Sequence, residues 1–155
     1  MAIKHYETDR KRDHNSIKRA AKMFKDIVDK YYYAQDYNCA EIMIHAANEY
    51  YDLKLHDRDM IMLAGFGGGM QTGNTCGAIL AAISILSMKY VGQRAHDSKD
   101  IRPVTTALIR EFNTRYGSLL CKDIKPQLFD PKLKCKYTIE AACDILEEVI
   151  ADHEG

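Results

Sequence analysis

Between Ser16 and Ala34, the apolar residues Ile17, Ala21, Phe24, Ile27, Val28 and Tyr31 fall three and four positions apart, with lysines and acids between them. That spacing places them on one face of an amphipathic helix, the first of the chain, capped by Asn15 or Ser16. The stretch "NCAEIMIHAANEYYDL" predicts a second helix, with Asn38 as cap and Cys39 in its first turn. A short third helix is expected in "HDRDMIMLAGF", starting near Asp57 and stopped by Gly65. "TCGAILAAISILSMKYVG" is apolar on nearly every face, so it reads as a buried central helix, closed by Gly92.

Further on, "SKDIRPVTTALIREFNTRYG" predicts a fifth helix, with Pro103 in its first turn and Gly117 at its end. "KYTIEAACDILEEVIADHE" gives the last, with Ala142, Ile145, Leu146 and Val149 facing inward. Between these two, "CKDIKPQLFDPKLK" holds two prolines and is expected to be mostly irregular. No segment alternates with the period of a strand. The expected fold is all-α: a compact single-domain helical bundle with a buried central helix preceded by a glycine-rich loop. A polar N-terminal arm is expected over 1–14, with one helical domain over 15–153.

Composition narrows the function. The 155 residues suffice for one domain with a real core. Lys and Arg number 22, as do Asp and Glu, so the chain carries no formal net charge and lacks the electrostatic footprint of a nucleic-acid binder. The longest uncharged run, Met60 to Met88, is interrupted by glycines. Its apolar part after Cys76 falls short of the roughly 20 residues that cross a bilayer, so no membrane insertion is expected. The first residues, "MAIKHYETDRKRDHN", lack the apolar stretch of a secretory signal, and the expected location is cytoplasmic.

The loop "GFGGGMQTGNTCGAILAA" carries six glycines in eighteen residues and no charge. Gly68, four residues and Gly73 mimic a phosphate-binding loop, but Asn74 stands where that loop needs lysine and no strand precedes it. A complete dinucleotide fingerprint is also missing, so no nucleotide is expected. Another reading joins the loop to Cys76. At a helix start the free N–H groups and dipole favour a thiolate, which would lower the thiol pKa. Gly67, Gly68, Gly69, Gly73 and Gly77 would let backbone crowd the sulfur or a bound group.

Five cysteines in a reducing compartment are not expected to form structural disulfides. Cys39, Cys76, Cys121 and Cys135 lie at helix starts, beside lysines or in the irregular segment. Cys143 lies mid-helix beside Ile139, Leu146 and Ile150. It is more than two turns from Cys135, roughly 12 Å along the helix, and reads as a core residue.

In order, "YNCAE", "AGFGGGM", "TCGAILA", "YGSLL" followed by Cys121, and "LKCK" resemble the putative redox-active proteins named for a C_GCAxxG_C_C pattern of four cysteines. The resemblance runs from about Tyr37 to Ala151, with Ala81 standing where the pattern has its last glycine. It implies an intracellular bacterial or archaeal helical protein with redox activity. It carries the four pattern cysteines onto Cys39, Cys76, Cys121 and Cys135. The domain is also similar to one in split-Soret cytochromes, which carry c-type haems and an iron–sulfur cluster. No CxxCH occurs here, so c-type haem is not expected.

Four thiolates suit an iron–sulfur cluster or structural zinc. The gaps of 37, 45 and 14 residues lack the short CxxC knuckles typical of zinc. The leading expectation is convergence of Cys39, Cys76, Cys121 and Cys135 on an iron–sulfur cluster, serving electron transfer or redox sensing with an unidentified redox partner. A second reading is thiol–disulfide exchange between Cys76 and Cys39. A third is a non-catalytic binding module holding a small anion at the glycine loop. His45, six residues after Cys39, reads as packed rather than ligating. Tyr31, Tyr32, Tyr33 and Tyr37 read as core and interface packing. Tyrosines and apolar helix faces also fit a homodimer.

Overall fold

The computed structural model describes residues 23–155. Seven α-helices run through them: α1 (Phe24–Ala34), α2 (Cys39–Tyr51), α3 (Asp57–Met60), α4 (Gly77–Tyr90), α5 (Ile101–Tyr116), α6 (Cys121–Leu128) and α7 (Lys136–Glu154). Among the described residues no β-strand forms, and two isolated bridges are the only extended pairings. The all-α expectation holds.

Helix α4 lies at the centre, packed against α2, α5 and α7, because its sequence leaves almost no polar face to turn outward. Gly77, Ala78, Ile79, Ala81, Ala82, Ile85 and Leu86 are all buried along it. Its alanines keep the surface low, so neighbouring helices come close. The inward face of α7 includes the expected Ala142, Ile145, Leu146 and Val149, and Phe112 of α5 and Phe24 of α1 complete the core. No helix among the described residues is long and apolar enough to cross a membrane.

Several boundaries differ from the sequence pattern for local reasons. Met23 is extended and its N–H donates to the Asp26 carboxylate at 3.1 Å, so α1 starts at Phe24 and does not run back unbroken to Ser16. The expected cap at Asn15 or Ser16 and the arm over 1–14 lie outside the described residues. Helix α3 begins at Asp57 as expected, but Gly65 does not stop it; a 3-10 turn continues over Ile61–Phe66. Gly92 does not close α4 either. Val91 is already extended, and the Tyr90 carbonyl is satisfied by the Ser98 hydroxyl at 2.7 Å. At the end of α5, by contrast, Gly117 adopts the left-handed φ of +70°.

The largest correction is α6, which occupies part of the segment expected to be irregular. Ser118 Oγ accepts from the Leu120 N–H at 3.0 Å and donates to the Asp123 carboxylate at 2.7 Å, fixing the entry to this helix. Ile124 is fully buried and anchors it. Pro126 removes one N–H from the ladder, and the helix ends two residues later.

Gly117 has open space around its Cα, so its requirement is purely one of backbone conformation. Gly117→Ala is expected to destabilise the chain by about 1 kcal/mol. Gly92, also in open space and without a left-handed φ, should tolerate alanine within about 0.5 kcal/mol. Urea unfolding of the two variants checks both values.

Candidate functional site

Four helix starts each carry a cysteine. Cys39 is the first residue of α2 and Cys121 the first of α6, while Cys76 and Cys135 immediately precede α4 and α7. All four line one cavity of about 370 Å³, within the usual range for small-molecule and cofactor sites. Ile42, Ile124 and Ile139 give it apolar walls; Tyr32, Asp36, Tyr37, Lys125, Lys134 and Thr138 supply polar groups.

Local backbone explains the convergence. Thr75 and Leu120 form an antiparallel bridge, in which the Cys76 N–H donates to the Leu119 carbonyl at 2.9 Å and the Cys121 N–H to the Asn74 carbonyl at 2.7 Å. Two cysteines distant in sequence therefore leave one paired stretch side by side. Asn38 caps α2 by accepting from the Ala40 and Glu41 N–H groups, and its amide donates to the Ala64 carbonyl at 2.8 Å, tying Cys39 to the turn before the glycine loop. Cys135 follows a second bridge, Asp130 with Lys134, and Tyr32 donates from its hydroxyl to the Leu133 carbonyl beside it.

The glycines serve chiefly to let these pieces touch. A Cβ on Gly77 would lie 2.7 Å from Cys39 Sγ and 2.6 Å from the Phe66 carbonyl oxygen. One on Gly69 would lie 2.4 Å from the Asn74 carbonyl oxygen and 2.7 Å from Cys121 Cβ, and one on Gly67 would strike the Asn38 side chain. Gly73 approaches Lys122. Of the five glycines expected to contact a bound group, Gly68 is the one that lines the cavity. Gly68, Gly69, Met70 and Gln71 all have positive φ, forming a left-handed turn that the Asn74 N–H closes on the Gly69 carbonyl at 2.9 Å.

Main-chain amides act on two of the thiols. The amides of Gly68 beside Cys39, and of Ala78 and Ile79 beside Cys76, favour the thiolate form, as expected at a helix start. The expected lowering of the Cys76 pKa does not follow. Burial outweighs the amides and raises it, with the sulfurs of Cys121 and Cys135 adding to the rise. Burial, reinforced by Cys76, pushes Cys39 from 9.0 up to about 12. Cys135 is also raised by burial, while Lys125 and Lys134 pull it back. The thiols therefore sense one another's charge across the cavity.

Cys143 stands apart. It is buried, its Sγ lies 3.5 Å from Met43 Sδ, and it does not line the cavity. His45 stacks on Tyr37 at a ring distance of 4.4 Å and also stays off the cavity wall. Of the four tyrosines read as packing, Tyr32 and Tyr37 line the cavity, whereas Tyr33 is 65% exposed. The pattern gave no sign of Lys125, but Thr138, three residues beyond Cys135 in the first turn of α7, could have been placed by helical spacing.

A family model described as putative redox-active protein (C_GCAxxG_C_C) matches residues 37–149, which include all four cavity cysteines. The chain belongs to this family. Ala81, at the family's last glycine position, is fully buried on α4. No curated protein and no solved structure matches the chain.

Gly77→Ala should destabilise the fold by about 1–3 kcal/mol through overpacking against Cys39 and Phe66, measurable by urea unfolding. A thiol whose pKa is raised on folding keeps its proton more tightly in the folded chain. Stability should therefore be full below about pH 9 and fall as pH rises from 9.0 to about 12, over which the unfolded Cys39 ionises first. Unfolding of the metal-free protein across that range should show a smaller loss in Cys39→Ala than in wild type.

Proposed function

We propose that Cys39, Cys76, Cys121 and Cys135 together ligate an iron–sulfur cluster, and that the protein transfers electrons or senses redox state through it. The observation that carries this reading is the meeting of four helix-start cysteines, from four separate helices, around one cavity in a member of a redox-active family. Four thiolates are the usual ligand set of such clusters. Among the described residues no three His, Cys, Asp or Glu side chains are gathered to hold one metal ion. A cluster asks for something different, because its separate iron atoms take thiolates spread round a common space.

The surroundings support the same group. Gly69 and Gly77 are positions where a Cβ would displace Cys121 and Cys39, so the thiols keep their places only with glycine there. The backbone amides of Gly68, Ala78 and Ile79 favour the negative form of the neighbouring sulfurs. Ile42, Ile124 and Ile139 limit water, and four helix N-termini offset negative charge. A bound cluster supplies one-electron chemistry; this chain's residues hold it, screen it and set its charge balance. The raised Cys39 and Cys76 pKa values favour this reading over thiol–disulfide exchange, which needs a ready thiolate at neutral pH.

Anaerobic purification, or reconstitution with iron and sulfide, should give brown protein with stoichiometric iron and sulfide. Serine at Cys39, Cys76, Cys121 or Cys135 should each sharply reduce both, while Cys143→Ser should retain them. Colourless protein that takes up neither component, and that forms a Cys39–Cys76 disulfide on mild oxidation, would replace the cluster with dithiol chemistry.

A further inference from the structure

Thr138 is the one polar side chain buried in the core of the described residues, with 4% of its surface exposed. It lines the cysteine cavity, and its Oγ1 has no hydrogen-bond partner. A buried hydroxyl without a partner is unusual enough to require a reason. In a helix, a threonine hydroxyl commonly turns back to the carbonyl four residues earlier. Here that carbonyl belongs to Lys134, which precedes α7 in a left-handed conformation and already accepts from the Asp130 N–H at 3.1 Å. The next carbonyl, that of Cys135, accepts from the Ile139 N–H at 3.0 Å. Thr138 Oγ1 makes a hydrogen bond to neither carbonyl, and the residue lines the cavity beside Cys135.

We propose that the Thr138 hydroxyl donates a hydrogen bond to an electron-rich sulfur of the group held by the four cysteines, and that it is a positioning residue which sets that group's reduction potential. The inference rests on the cluster reading above. A hydroxyl O–H bonds more strongly to sulfur as negative charge builds there. Reduction adds charge to the cluster, so this donor favours the reduced state and raises the potential. Thr138 occupies the third position of α7, close in sequence to Cys135, and no other side chain with a hydroxyl both lines this cavity and lacks a partner among the described residues. Tyr32, the other hydroxyl on the wall, is already committed to the Leu133 carbonyl.

The test compares full-length wild type, Thr138→Val and Thr138→Ser, each reconstituted anaerobically with iron and sulfide. Valine keeps the shape and removes the hydroxyl; serine keeps the hydroxyl and removes the methyl. Valine should load iron and sulfide to the wild-type level, show a more negative midpoint in a redox titration, and release iron to a chelator several-fold faster. Serine should restore the wild-type midpoint. Before loading, the valine variant should unfold at or above the wild-type urea midpoint, because no hydrogen bond has been lost. Full loading of the valine variant with unchanged midpoint and unchanged iron release overturns the role of Thr138 alone. A serine variant that shifts as far as valine does the same, since the effect would then be one of packing. Wild type that takes up no iron and sulfide overturns the cluster reading, and this inference with it.

Discussion

Four helix N-termini pointing into one cavity create an electrostatic problem that organises the whole site. Each carries a partial positive charge and N–H groups without intrahelical partners, so together they favour negative charge between them. The residues offered are thiols, whose negative form burial opposes. The two tendencies meet in Cys76, where amides of Ala78 and Ile79 stabilise a thiolate and desolvation still keeps the proton on. The cationic metal group proposed above would satisfy both demands, since it would displace the thiol proton while the surrounding amides balanced the resulting charge.

Holding the helix starts together falls to small, specific contacts. The Thr75–Leu120 bridge sets Cys76 beside Cys121, and Asn38 joins the start of α2 to the Ala64 carbonyl. Glycine removes the side chains that would keep these elements apart: Gly67 makes room for Asn38, Gly69 for Asn74 and Cys121, and Gly77 for Cys39. The left-handed turn from Gly68 to Gln71 bends the chain sharply enough to reach α4, even though Met70 and Gln71 adopt a conformation costing roughly 1–2 kcal/mol per residue.

The helices and their burial were legible because periodic apolar residues largely determine which faces hide from water. The all-round apolar stretch from Ala78 to Leu86 therefore identified the central helix. Helix α6 was not legible: Pro126 within it and Pro131 just beyond suggest a break, while the interactions that allow a short helix come from Ser118 and from Ile124 reaching the core. Cys39, Cys76 and Cys135 were recognisable by position, since helix starts can be read from caps such as Asn38, whereas Cys121 stood out only beside Lys122 and through the family resemblance. Their surroundings were less so. The charge state of Cys76 depends on desolvation by residues far away in sequence, and the glycines proved to act mainly against other parts of the protein. Tyr32 and Lys125 reach the cavity through packing that no local pattern records.

The sulfur-bearing helix starts are spread from residue 39 to residue 135, and the last of them opens the final helix. Lys134, Cys135, Thr138 and Ile139, at and just before the start of α7, form one wall of the cavity, which stays open until that helix is in place. The cavity is thereby a product of tertiary packing alone, completed where α7 meets α4 and α6.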